Sequence, residues 1–343
     1  MTIPSRRSEP ESRPLKKPAV LIALALALSP GASAPAQVPL IPVPAASAPP
    51  ANATVDPDAT LVEELVVTGR LPGPAWWRVT KGDSVVYVLG SPSLAPERMQ
   101  WDRGIFEHRL QGANEVILPY RGLRVKVVGA PGAMIAYMRL RSSKPFEDTL
   151  PPELRSRFAA VREKIGQPAK RYGTKNPLAA GVMLAGDYRE ATNLTDSDPT
   201  KLIRYLAQQA GVKVEQKTYD VGPLLRGMVK TSYTGGMACL EEVLAEAEAG
   251  SAATRAAARA WADGDVRGAL AAERSYERCL NAAPGAIAFD ARAKADQAAA
   301  IAKALEKPGH SIALVQLRPL LSQGGVLDRL RAQGFEIKTP GDL

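Results

Sequence analysis

The stretch VYVLGSPSLAPERMQWD, Val86 to Asp102, decides how the rest of the chain is read. Its apolar run ends at Leu89-Gly90 and opens into a Ser/Pro loop, the form of a strand whose carboxyl end feeds a turn. Catalytic side chains commonly sit on such loops, yet from Ser91 to Met99 there is no His, Cys, Asp or Lys. Downstream, WDRGIFEHRLQG reads as a short helix and NEVILP as a returning strand, which makes Ser84 to Leu118 a βαβ unit. Upstream, LVEELVVTG (Leu61 to Gly69) reads as another strand. Trp76 and Trp77 read as an apolar anchor at the domain start, with sugar stacking as the alternative.

Further along, LRVKVV (Leu123 to Val128) reads as a strand before a small-residue helix, Pro131 to Leu140. The middle is helical: Pro151 to Ile165, Pro177 to Tyr188 capped by Asn176, and Pro199 to Ala210 capped by Asp198. VKVEQKTY (Val212 to Tyr219) interrupts as a strand, and an Ala-rich helical stretch runs from Met237 to about Leu305 with breaks at Asp263-Gly264-Asp265 and Pro284-Gly285. The chain closes with strand HSIALVQL, helix GGVLDRLRAQG and strand FEIK. Strands at both ends with helices between predict a mixed α/β (α+β) fold. Its central sheet joins N-terminal and C-terminal βαβ-like halves around a large helical middle section. No internal repeat is visible, and residues 62 to 343 read as a single domain.

Residues 1 to 17 hold Arg6, Arg7, Arg13, Lys16 and Lys17, and Ala19 to Leu28 is an uncharged apolar run. Ten such residues fall short of the roughly 20 that cross a bilayer. With Ala34-Pro35-Ala36 behind them they predict a signal peptide over residues 1 to 36, cleaved after Ala36, and hence a periplasmic or secreted protein; an uncleaved anchor is the alternative. Residues 37 to 61 are Pro/Ala-rich and read as a disordered tether. The signal carries five of the 44 Lys and Arg and two of the 35 Asp and Glu, so its removal lowers the net charge from +9 to +6. No basic cluster is interleaved with aromatics, which argues against nucleic acid and leaves an anionic envelope polymer or lipid headgroup open. No stable membrane span is expected after cleavage. In an oxidising compartment Cys239 and Cys279 are expected to pair, the alternative being two buried thiols.

Three stretches then resemble one family: YVLGSPSLAP with the following helix and ANEVILP, the AWADGD segment, and the ending ALVQLRPLLSQGGVLDRLRAQGFEI. They are similar to the TraB/GumN family, whose relatives include the Tiki metalloproteases and erythromycin-esterase-like proteins. The likeness covers about Pro74 to Lys338. In that family a first strand ends in Leu-Gly-Thr-x-His, a glutamate ends the strand after the first helix, and a second Gly-x-x-His precedes the Gly-rich helix. Two imidazoles and a carboxylate delivered from strand ends can hold a divalent metal with a position left for water. The resemblance therefore implies a metal-dependent hydrolase ancestor.

At each metal-ligating position this sequence differs. Gly90 and Ser91 stand for the Gly-Thr pair, Ser93 for the first histidine and Pro119 for the glutamate. Gln316 to Pro319 stand for the second motif, with Gln316 and Pro319 at its glycine and histidine. A further acidic position falls near Lys217. The expectation is that no metal and no cofactor is held. His108 and His310, the only histidines, sit at the wrong ends of their elements to replace the ligands. A Ser93–Lys217 nucleophile pair is conceivable, but Ser91 and Ser93 read more simply as turn residues. Ser93, Lys217, Arg292 and Arg318 form a candidate anion pocket, since Arg offers bidentate bonds to carboxylate or phosphate; Arg318 and Lys217 facing solvent is the alternative. These readings favour an exported, non-catalytic binding or scaffolding protein for a peptide, protein or acidic glycan. The rival is a divergent hydrolase, protease or esterase-like, with relocated residues.

Overall fold

The computed structural model describes residues 56–343 apart from 70, 121, 122, 125–129, 197, 221 and 273. The signal segment, residues 37 to 55 of the tether and residues 125 to 128 of the LRVKVV strand lie outside the described residues. Among those described, the strands are β1 (Trp76–Lys81), β2 (Ser84–Ser91), β3 (Ala95–Pro96), β4 (Glu115–Ile117), β5 (Leu123–Arg124), β6 (Leu194–Thr195), β7 (Lys213–Glu215), β8 (Tyr219–Asp220), β9 (Gly309–Gln316) and β10 (Glu336–Lys338). Six of them form one mixed sheet in the order β10-β1-β2-β9-β4-β7, and β3-β6 and β5-β8 make two small pairs.

The fold is mixed α/β, and its sheet joins the two ends of the chain as the sequence predicts. β2, β9, β4 and β7 run parallel, while β1 pairs antiparallel with both β2 and β10. β9 comes from near the C-terminus and slots between β2 and β4, so the βαβ unit read in Ser84 to Leu118 has its two strands one place apart. A central position suits HSIALVQL, because Ser311 to Val315 are buried without interruption. Parallel strands covered on both faces need continuous apolar sequence.

β1 was not anticipated as a strand. Lys81 pairs with Ser84 across the two-residue turn Gly82-Asp83, where Gly82 has φ +56°. That left-handed glycine is the hairpin signal in the sequence. The strand expected at Leu61 to Gly69 does not form: Glu63–Leu65 is a short 3-10 turn and Leu61 makes a lone bridge to Ser322. Its backbone groups go to unrelated partners. Val62 N–H donates to Leu321 O (2.9 Å), Gly69 N–H to Gly264 O (2.9 Å), and the Trp77 indole N–H donates to Leu65 O (3.2 Å). No ladder is left for them to join. The strand read at Val212 to Tyr219 splits into β7 and β8, which pair with different partners. A helix at Gly222–Lys230 was also missed.

Two apolar cores result. One surrounds the sheet and includes Trp77, Val88, Phe106, Trp261, Ile301, Leu314 and Leu330. The other lies among the middle helices and includes Phe146, Phe158, Tyr172, Leu184, Leu240 and Leu244. Cys239, on helix Tyr233–Ala249, and Cys279, on helix Ser275–Asn281, form a disulfide inside the second core, with Cα atoms 4.6 Å apart. The residues Asp56 to Leu61, read as the end of the tether, pack against the domain: Asp58 is buried and Thr60 O accepts from Gln323 N–H (2.9 Å).

Candidate functional site

The four parallel strands all end on one side of the sheet. The chain leaves β2 toward β4 in one direction and leaves β9 toward β10 in the other. Open α/β sheets present their crevice at such a switch between adjacent parallel strands. Ser91 and Gln316, the last residues of β2 and β9, are register partners there.

Several motif residues that carry the resemblance build this edge. Trp261 of AWADGD donates its indole N–H to Gly90 O (2.5 Å) and packs edge-on against Trp101. Gly264 of the same segment has φ +77°, and its carbonyl receives Gly69 N–H. Gly90 has a steric duty: a Cβ there would stand 2.4 Å from Leu317 Cδ2 and 2.9 Å from Trp77 Cζ3. Gly90→Ala is expected to cost about 1–3 kcal/mol by overpacking, measured by urea unfolding; no change would show that Leu317 repacks freely. Ser91, read as a turn residue, is instead a buried strand residue.

Beyond the strand ends lies a cavity of about 290 Å³ bordered by Ser93, Pro119, Gln316 and Pro319, so four motif positions distant in sequence face one space. Tyr120, Tyr276, Phe289, Leu224 and Leu280 supply its apolar and aromatic walls, and Asn281 and Gln297 add amides. Tyr120, Tyr219 and Phe289 meet edge to face at 5.1–5.8 Å.

One wall is charged. Lys294, 4% exposed, touches Asp58 and lies 2.7 Å from Asp290. Arg274 grips Asp56 and Asp58 from the other side, at 3.2 Å to Asp58. Burial pushes the Asp290 carboxyl above its usual range and the charge of Asp58 adds to this, against the pull of Lys294. A buried charge persists only when paired, and here the pairing is mutual. Arg189 stacks over the Tyr276 ring at 3.9 Å and lies 3.9 Å from Glu277.

Ser93 and Arg318 also border a small adjoining hollow. Arg318 is turned inward, donating to Leu270 O, and burial with the nearby charge of Arg274 lowers its pKa. Lys217 and Arg292 lie elsewhere. Both pair with Asp296, at 3.1 and 3.8 Å, and Lys217 lines a separate hollow beside Tyr219. Burial raises the pKa of Asp296, but hydrogen bonds from Tyr219 and Lys217 and the charges of Lys217 and Arg292 outweigh it and hold the pKa low. The four residues of the candidate anion pocket thus fall in two groups, with Ser93 and Lys217 lining different hollows. His310, the second residue of β9, lies at the opposite end of the parallel strands, its Nε2 2.8 Å from Arg109 O, and His108 is on the helix Gly104–Leu110 that leads to the start of β4.

Ser93, Pro119, Gln316 and Pro319 offer no imidazole, thiolate or carboxylate. The carboxylates that do border the cavity include Asp58 and Asp290, clamped by ammonium and guanidinium groups. Among the described residues no group of three or more His, Cys, Asp and Glu is placed to hold a metal ion. The four motif positions thus carry none of the side chains that hold a divalent metal in a site of the hydrolase type.

Sequence reading missed Asp58, Arg274, Asp290 and Lys294. Asp290 and Lys294 stand i, i+4 on helix Ala286–Ala304, a spacing legible in FDARAKAD. Asp58 was hidden in a segment whose prolines pointed to a tether.

The model of the TraB/PrgY/gumN family matches residues 75–339. No curated protein and no solved structure gives a match. The match spans the whole sheet and most of both cores, so the chain belongs to the TraB/PrgY/gumN family.

Proposed function

We propose that this is an exported protein of the bacterial envelope that binds a peptide segment in the strand-end cavity without hydrolysing it. The observation that carries this reading is the cavity itself. Its walls are largely aliphatic and aromatic, its polar groups are amides, hydroxyls and charges of which Asp58, Asp290, Arg274 and Lys294 are paired with one another, and the four motif positions facing it bear no nucleophile–base pair. Such walls suit an apolar side chain with backbone groups beside it. Lys217 and Arg292 pair with Asp296 while Ser93 and Arg318 line a different hollow, which supports a peptide over an acidic ligand. No helix among the described residues is long and apolar enough to cross a membrane, and export rests on the N-terminal pattern.

The test is selection of a displayed random-peptide library on residues 37–343. Enriched peptides should lose binding to Ala293→Trp, which fills the cavity from helix Ala286–Ala304, and should be recovered intact by mass spectrometry. Enrichment that survives Ala293→Trp, or binding confined to glycans, sinks the peptide reading.

One observation favours a second reading. Asp290 is a cavity carboxyl whose pKa burial raises against the pull of Lys294, the direction that favours a general acid. A divergent hydrolase built on it would cleave the selected peptides, and Asp290→Asn would abolish cleavage while leaving binding.

A further inference from the structure

Helix Ala130–Leu140 turns Ala133, Ala136 and Leu140 into the second core. Its other face is apolar as well. Met134 is 57% exposed, Ile135 49%, Tyr137 37% and Met138 59%, so four of the eight large hydrophobic residues exposed among the described residues lie within five consecutive positions. Scattered exposed hydrophobics need no explanation, but a contiguous set on one helix face marks a docking surface.

Charge identifies what docks. Between Glu115 and Glu147 the sequence has no Asp or Glu, while Arg139, Arg141 and Lys144 follow the apolar face directly. All three are exposed, and their side chains make no ion pair among the described residues; the Arg141 guanidinium lies 5.7 Å from the Tyr137 ring. Protein interfaces share the Met, Tyr and Arg of this face but deplete Lys and keep charge out of their core. Met, Ile and Tyr beside unpaired Arg and Lys is instead the pattern of a helix lying in the headgroup region of an anionic bilayer, with the rings at the interface and the cations on phosphate. At 11 residues the helix is far too short to span.

We propose that helix Ala130–Leu140 is a peripheral docking face for an anionic phospholipid surface. It inserts Met134, Ile135 and Met138 among the acyl-chain tops and sets Arg139, Arg141 and Lys144 against the headgroup phosphates. This does not depend on the cavity's ligand.

The test is co-sedimentation of residues 37–343 with vesicles of phosphatidylethanolamine and phosphatidylglycerol, and with vesicles of phosphatidylcholine alone. Binding is expected to the anionic vesicles only and to weaken with added salt. Arg139→Gln/Arg141→Gln should reduce it about thirty-fold. Met134→Gln/Met138→Gln should reduce it too, with the thermal midpoint unchanged because neither side chain is buried. Equal binding to both vesicle types, no binding to either, or anionic binding that survives both double variants overturns the proposal. A dimer by light scattering that the Met134→Gln/Met138→Gln variant dissociates would assign the face to a second copy and overturns it as well.

Discussion

Lys294→Met is expected to destabilise the protein by about 3–5 kcal/mol at neutral pH, the cost of leaving buried carboxylates without their cation. Lys294 is the contact that Asp58 and Asp290 share at the cavity wall. Its removal strips Asp290 of its partner and leaves Asp58 with Arg274 alone. The pH dependence separates this from lost packing. Burial already holds the folded pKa of Asp290 above its unfolded value, about 3.9, and removing Lys294 raises it further. A carboxyl raised in the folded state opposes folding once the pH exceeds its unfolded pKa, and the penalty is complete above the folded pKa. The gap between wild type and Lys294→Met, measured by urea unfolding, should therefore shrink as the pH falls from 7 toward 4. A gap constant across that range would assign the loss to packing. Lys294→Met/Asp290→Asn should recover part of the stability at pH 7.

The second large effect is the disulfide. Cys239 and Cys279 are 40 residues apart in sequence, and each is essentially buried. Closing a loop of that length stabilises by about 4 kcal/mol in the chain-entropy model. The bridge ties helix Tyr233–Ala249 to helix Ser275–Asn281, which borders the cavity through Tyr276 and Glu277. Cys239→Ala/Cys279→Ala should lower the urea midpoint accordingly. The mixed sheet, whose core contains neither cysteine, should unfold last in hydrogen exchange. Equal stability of the double variant would mean that the reduced chain already holds this loop closed.

The central strands were legible because burial on both faces writes itself as continuous apolar sequence: VVYVLG and SIALVQ differ little in pattern and lie side by side. Helix starts were legible where capping chemistry is local. Asn176 accepts from Ala179 N–H at 3.0 Å, as its place before Pro177 predicts. Leu61 to Gly69 misled because β-propensity describes a side chain's fit, whereas the backbone partners that decide a ladder come from Gly264 and Leu321, some 200 residues away or more. The site was half legible. Ser93, Pro119, Gln316 and Pro319 could be named together because the family resemblance aligns them with motif positions at strand ends, and they border one cavity. The ion cluster could not, since Asp56 and Asp58 meet Arg274 and Lys294 only through the tertiary fold, and a charge's partner has no fixed sequence spacing.

If the strand-end cavity of this TraB/PrgY/gumN family member is a binding site whose residues hold no catalytic metal, titrating residues 37–343 with Zn²⁺, Mn²⁺ and Co²⁺ while following thermal unfolding and bound metal will show it. A specific site raises stability as RT ln(1 + [L]/Kd). The expected result is no saturable shift and no stoichiometric metal with any of the three. One equivalent of bound metal, with a saturable shift that Asp290→Asn removes, would contradict it and place the catalytic chemistry back in the cavity.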